Sequence, residues 1–194
     1  MQKANGLHVV GFDPSLRNWG ASKGIYMPDG SISLTEVAVF QAVLPTGKQV
    51  RQNSLDLESA LQICTAAAAF AKGAQAIFVE VPHGSQSARA MASYGICIGI
   101  LGALRTMGIP FIEVNAEEVK LAVTGRKTAT KKDMIDWAVN AHPEAKWPMY
   151  NRGGIGIISE AQAEHMADAT AAIHAGIKTN MFKQSLQMMN FAAQ

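Results

Sequence analysis

The chain has 194 residues, 48% of them hydrophobic, which is enough for a buried core and the usual length of one domain rather than two. Lys and Arg number 17 against 15 Asp and Glu, a formal charge of +2 that is too weak to announce a nucleic-acid partner and decides nothing alone. The longest uncharged apolar run, between Arg89 and Arg105, falls short of the ~20 residues that span a bilayer, so a membrane protein is excluded.

No apolar stretch long enough for a signal peptide opens MQKANGLHVVGFD, and a strand begins by Leu7. Residues 7–40 read as three strands, LHVVGF, WGASKGIYM and SISLTEVAVF, the last two joined by a hairpin at PDGS. Residues 53–72 carry apolar positions at helical spacing and stop at Gly73. AQAIFVEV is continuously apolar, as expected of a strand paired in parallel and covered on both faces. Residues 86–107 form a long helix rich in Ala, Gly and Met, followed by Gly108 and the short strand IPFIEV, giving the order βββαβαβ. Three smaller helices follow, each opened by a capping residue with a polar partner three positions on: Asn115 with Glu118, Thr130 with Asp133, and Ser159 with Gln162. The last runs over residues 159–175. Between the second and third, HPEAKWPMYNRGGIGII reads as a long loop. The domain is taken as residues 1–177, with 178–194 a polar, Met-rich tail of disordered character. Cys64 and Cys97 sit inside apolar runs, where a free thiol behaves as a small buried hydrophobe, and the expected compartment is the reducing cytoplasm.

Two unrelated strands end in an acid followed at once by a chain breaker: Asp13 before Pro14, and Glu80 before Pro82 and Gly84. An Asp at a strand end can cap its own turn, and a Glu there can simply be solvated. A carboxylate following Ile77, Phe78 and Val79 is nevertheless costly to bury unless protonated, paired or metal-bound, so a shared site at one sheet edge is expected. The last helix adds Glu164, His165 and Asp168 on neighbouring surface, with Ala163, Ala167 and Ala171 allowing close approach to a sheet. Alone, that helix reads equally as an ordinary polar face. Oxygen donors with one imidazole and no cysteine suit Mg²⁺, with Mn²⁺ substituting, and two such ions could serve an in-line phosphoryl transfer. His165 is a metal ligand, a group that orients or deprotonates water, or plain packing.

The stretch VKLAVTGRKTATKK holds Lys120, Arg126, Lys127, Lys131 and Lys132 and no acid. It reads as a surface that tracks DNA phosphates, the alternative being a solvated helical face. Trp147, Tyr150 and Arg152 interleave aromatic and basic groups that could stack on unpaired bases or pack the loop down.

The boxes GFDPSLRNWG, IFVEVP and EHMADATAAIH, in this order and at these separations, resemble the RuvC family of Holliday-junction resolvases over residues 9–176. The resemblance implies an α/β, ribonuclease-H-like fold: a five-stranded mixed sheet flanked by helices. It further implies a homodimer, two Mg²⁺ per active site, and paired incisions of four-way DNA, with Asp13, Glu80, His165 and Asp168 as catalytic and metal-binding residues. Lys120 and Lys131 or Lys132 fall where the family places basic groups near the scissile phosphate. Two features depart from the pattern. Val81, Pro82 and His83 follow Glu80 where bacterial members often carry an aromatic that contacts junction bases, and residues 142–158 look like an insertion. Both bear on how strictly junctions are selected, since phage-type relatives can be less selective. No signal for a helicase partner is present. A ribonuclease-H-like nuclease cutting flaps, forks or hybrids is the nearest alternative, and a non-catalytic DNA-binding scaffold is a further one. The actin-type ATPase, whose first strand also ends in Asp, needs two such domains and more chain than this.

Overall fold

The computed structural model describes residues 6–46 and 50–192. Residues 1–5, within the N-terminal stretch read above for a signal peptide, and residues 193–194 of the tail lie outside it.

Strands β1 (Leu7–Asp13), β2 (Trp19–Tyr26), β3 (Ile32–Phe40), β4 (Ala76–Glu80) and β5 (Ile112–Val114) form one sheet in the order β3-β2-β1-β4-β5. β1 to β3 are antiparallel neighbours, whereas β4 joins β1 and β5 joins β4 in parallel. This is the mixed five-stranded sheet expected from sequence. The β2–β3 turn closes at Gly30, with φ of 88°.

The period of two along each strand divides the core. Val10, Phe12, Ile77 and Val79 face α1 (Gln52–Ala71) and α2 (Ala88–Thr106), packing on Ile63, Phe70, Ile100 and Leu104. Val9 and Phe78 face the other way, toward α5 (Glu160–Gly176), where Ala163, Ala167 and Ile173 are completely buried. α3 (Ala116–Thr124) and α4 (Lys131–Ala141) lie beside α5 through Val119, Met134, Ala171 and Ala172. α3 and α4 both carry the capping boxes expected of them, Asn115 with Glu118 and Thr130 with Asp133. Cys64 and Cys97 are free thiols, Cys97 fully buried. Among the described residues no helix is long and apolar enough to cross a membrane.

Three expectations are corrected. The stretch read as a long loop contains a second, two-stranded sheet, β6 (Met149–Arg152) paired antiparallel with β7 (Ile155–Ile158) through a Gly153-Gly154 turn with φ of 62° and 84°. Its strands are too short and too irregular in polarity for a period of two to show. Ser159 does not cap α5 with its side chain; its N–H instead bonds the carbonyl of Pro148 at 2.8 Å, prolonging the hairpin. The tail read as disordered contains α6 (Asn180–Ala192), whose Phe182 is buried edge-on against Phe78 and Tyr26, with ring centroids at 5.4 Å in both cases.

Candidate active site

Asp13 and Glu80 close the parallel strands β1 and β4 one position beyond the pair Phe12 and Val79. Counting by two, Asp13 shares its face with Val9 and Gly11, and Glu80 shares its face with Phe78. Both carboxylates therefore stand at the C-terminal edge of the sheet and on its α5 side. α5 supplies Glu164, His165 and Asp168 to the same place. These five side chains line one cavity of about 330 Å³, together with Ser15, His83 and Tyr94.

The approach of α5 is made possible by missing side chains on the sheet. A Cβ on Gly20, the register partner of Asp13, would overlap the backbone carbonyl of His165. A Cβ on Gly11 would overlap that of Ala169. Thr170 locks the interface by donating to Met166 O at 2.8 Å and meeting Ser22 Oγ at 3.0 Å.

The imidazole of His165 meets Asp13 through Nδ1 and Oδ2 at 2.8 Å. Burial works against protonation of this ring, but the bond to Asp13 and the nearby Glu164 and Asp168 outweigh it and raise its pKa. Glu80 is pushed up to about 7, first by burial and then by Asp13, with Lys120 opposing. Burial likewise holds Asp168 well above the usual carboxylate range, reinforced by Asp13, Glu80 and Glu164. Lys120, Lys131 and His165 offset only part of the negative charge gathered here, since Glu80 and Asp168 are still pushed toward the protonated form, and a cation would relieve that cost. The donors, mostly carboxylate oxygens with one imidazole, fit a hard divalent ion such as Mg²⁺ or Mn²⁺. Among the described residues, no three of these donors are already drawn to a common ligating point. Part of the reason is visible: Lys131 Nζ holds Glu164 at 2.6 Å, and His165 is engaged by Asp13.

The basic stretch behaves less uniformly than its sequence suggested. Lys120 lies close enough to lower the pKa of Glu80, and Lys131 reaches Glu164. Arg126 pairs with Asp133 at 3.2 Å, Lys127 with Glu117 at 2.8 Å, and Lys132 with Asp136 at 2.6 Å. These acids come from outside the stretch or from the next turn of α4, so the absence of acids within 119–132 does not make an unpaired basic surface. Trp147, grouped with Tyr150 and Arg152 above, separates from them. It is buried, and its Nε1 donates to His142 O at 2.9 Å. Tyr94 and Ser15 were not anticipated in the cavity; Tyr94 stands in a helix whose Ala and Gly content drew attention to packing instead.

No protein-family model matches the chain, and no curated protein sequence matches it significantly. Solved structures do. The chain is similar to RuvC of T. thermophilus in complex with a Holliday junction substrate, at 18% identity with a TM-score of 0.61, covering 85% of this chain and 92% of that one. A second structure of Thermus thermophilus RuvC gives 19% identity and a TM-score of 0.57, over 87% and 92%. The yeast mitochondrial Holliday junction resolvase Ydc2 gives 14% identity and 0.59, over 87% and 77%. The fold is thus the ribonuclease-H-like α/β fold of the RuvC resolvases, a five-stranded mixed sheet flanked by helices.

Proposed function

We propose that this chain is a divalent-metal-dependent endodeoxyribonuclease that cleaves four-way (Holliday) DNA and related branched DNA. The observation that carries this reading is the convergence of Asp13, Glu80, His165 and Asp168, from three separate elements, into one cavity on a fold shared with RuvC. Asp13, Glu80 and Asp168 would hold the ions, with His165 as a further ligand or as the group that orients water. Held by these residues, two Mg²⁺ ions, for which Mn²⁺ would substitute, would supply positive charge for phosphodiester hydrolysis. Asp13 fixes the tautomer and orientation of His165 through Nδ1, so that its Nε2 is the nitrogen left to meet a water. Lys120 and Lys131 stand near enough to the acids to offset the repulsion between them and an incoming phosphate. Arg126, Lys127 and Lys132 would act at longer range, exchanging their carboxylate partners for DNA phosphates.

Symmetric cutting of a junction needs two such sites, and we infer a homodimer built on α2. The inner side of α2 is core, but Met91 and Ile98 on its outer side are 45% exposed, and Leu57 and Leu61 of α1 are 73% and 61% exposed beside it. An apolar groove of about 640 Å³ runs between α1 and α2 on a neighbouring side of α2, lined by Leu57, Ala60 and Leu61 from α1 and by Ile96, Gly99 and Ala103 from α2. Self-complementary packing of this surface would set two cavities facing one junction.

The test is to incubate the protein with Mg²⁺ and end-labelled four-way, fork, flap, linear duplex and RNA/DNA hybrid substrates, and to map the cuts. Paired incisions near the branch point of the junction are expected. Cleavage confined to the hybrid would replace this reading with a ribonuclease-H-type activity, and no cleavage of any substrate in Mg²⁺ or Mn²⁺ would overturn it.

A further inference from the structure

The catalytic cavity does not explain the sequence or the placement of the β6–β7 hairpin. A two-stranded ribbon is marginal in water unless something covers it or anchors it. Here the root is anchored: Trp147 is buried and bonded to His142 O, Ser159 N–H bonds Pro148 O, and Ile158 packs at the edge of the core beneath α5. The rest projects. Met149, Tyr150 and Ile155 are 62%, 48% and 68% exposed, and Asn151, Arg152 and both tip glycines are exposed with them. The register pairs Tyr150 with Ile157 and Arg152 with Ile155, so the period of two gathers an aromatic ring, a guanidinium and two isoleucines on one face. Arg152 has no acidic partner among the described residues, and residues 145–159 contain Lys146 and Arg152 but no acid.

Its position is as informative as its composition. The hairpin runs directly into α5, and Glu164 to Asp168 lie one to two turns from the start of that helix, roughly 6 to 12 Å along its axis. Lys131 at the start of α4 meets the same end of α5 through Glu164. A phosphate backbone entering the cavity would therefore pass beside the ribbon.

We propose that the β6–β7 hairpin is a DNA-binding arm, with Tyr150 stacking on a base exposed at the branch point and Arg152 contacting a flanking phosphate. It rests on the nuclease reading above and adds a contact that reading does not require. An aromatic and an unpaired cation on one exposed face suit an unstacked nucleotide, whose ring and phosphate they meet together. A ribbon four residues long with a two-glycine tip is also slim enough to enter the opening of a branched duplex.

The test uses the full chain in Ca²⁺ and a four-way junction carrying 2-aminopurine at the branch point, read by anisotropy and by 2-aminopurine fluorescence. For Tyr150→Ala, affinity should fall roughly tenfold and the fluorescence change on binding should be lost, while Tyr150→Phe retains both. Arg152→Ala should weaken binding and lower the slope of log affinity against log salt by about one. Both positions are exposed, so melting temperatures of the three variants should stay at the parent value. Affinity and fluorescence of Tyr150→Ala within twofold of the parent would overturn the proposal. So would a loss of dimer mass in the hairpin variants, which would make a second copy of the chain the occupant. A parent that cuts junctions while Tyr150→Ala binds normally refutes the arm alone; a parent that neither binds nor cuts branched DNA refutes the nuclease reading and the arm with it.

Discussion

A carboxylic acid at the end of a buried strand can avoid standing charged in a dry setting by holding a proton or by acquiring a cation. Glu80 does the first when the protein is alone: its pKa, pushed up to about 7 by burial and by Asp13, lies above the 4.5 it would have in the unfolded chain. Its contribution to stability is therefore complete below pH 4.5 and is lost as pH rises through about 7. By pH 8 that loss is on the order of 3 kcal/mol. Glu80→Gln should abolish cleavage, yet its metal-free melting temperature should fall less between pH 5 and pH 8 than that of the parent. A parallel fall in both proteins would show that the burial of Glu80 carries no such penalty. The opposite window belongs to His174, which burial, together with His142 and Lys178, pushes down to about 4. Its Nε2 lies 2.9 Å from Nε2 of His142, whose Nδ1 meets Glu144 at 3.2 Å, with the ring of Trp137 packed on both imidazoles. An unfolded chain accepts a proton at His174 near pH 6.5, whereas the fold refuses it, so stability is lost as pH falls from 6.5 toward 4. Urea midpoints measured from pH 7 to pH 4.5 should decline, and His174→Gln should flatten the decline.

At the scale of elements, α5 decides whether there is a site. It brings three of the six cavity-lining acids and imidazoles, and its seat depends on two glycines in the sheet. Gly20→Ala would drive a methyl group into the backbone at His165 and shift the helix by a fraction of an ångström or more. The expected result is a loss of catalytic rate of at least tenfold with DNA affinity little changed, since the phosphate contacts proposed for Lys120 and Lys131 would come from α3 and α4. Normal turnover in Gly20→Ala would show that the helix tolerates the intrusion. The sequence displays Gly20 only as a turn residue; the contact that requires it lies 145 positions away and has no local signature. The strand-ending acids were legible because a charge at the end of an apolar run, followed by proline, is a local pattern at both Asp13 and Glu80. The Ala spacing of α5 was legible for the same reason. α6 escaped notice because its apolar positions Phe182 and Leu186 are diluted by methionine and polar residues, so that only Phe78 and Tyr26, across the fold, reveal what Phe182 is for. The pairing of Lys127 with Glu117 and of Arg126 with Asp133 was hidden similarly, by acids that lie outside the basic run.

For the molecule as a whole, the proposed pairing through α2 places the dimer surface on the face of the sheet opposite α5. Assembly and chemistry are thereby assigned to different sides. Ile98→Asp, at a site 45% exposed in the single chain, should leave folding intact and convert the dimer to monomer by light scattering at micromolar concentration. Junction cuts should then become unpaired nicks. A parent protein that already scatters as a monomer at that concentration would remove the dimer. The spread of the site along the chain has a consequence for biosynthesis. Asp13 and His165 are 152 residues apart, and no segment ending before residue 160 contains a complete set of donors. Forming the cavity is among the most non-local events in the fold, and so among the last. A ribosome making this protein therefore carries, for most of the time of synthesis, a chain able to build its sheet but lacking the complete cavity; the nuclease activity proposed above would emerge only when α5 docks.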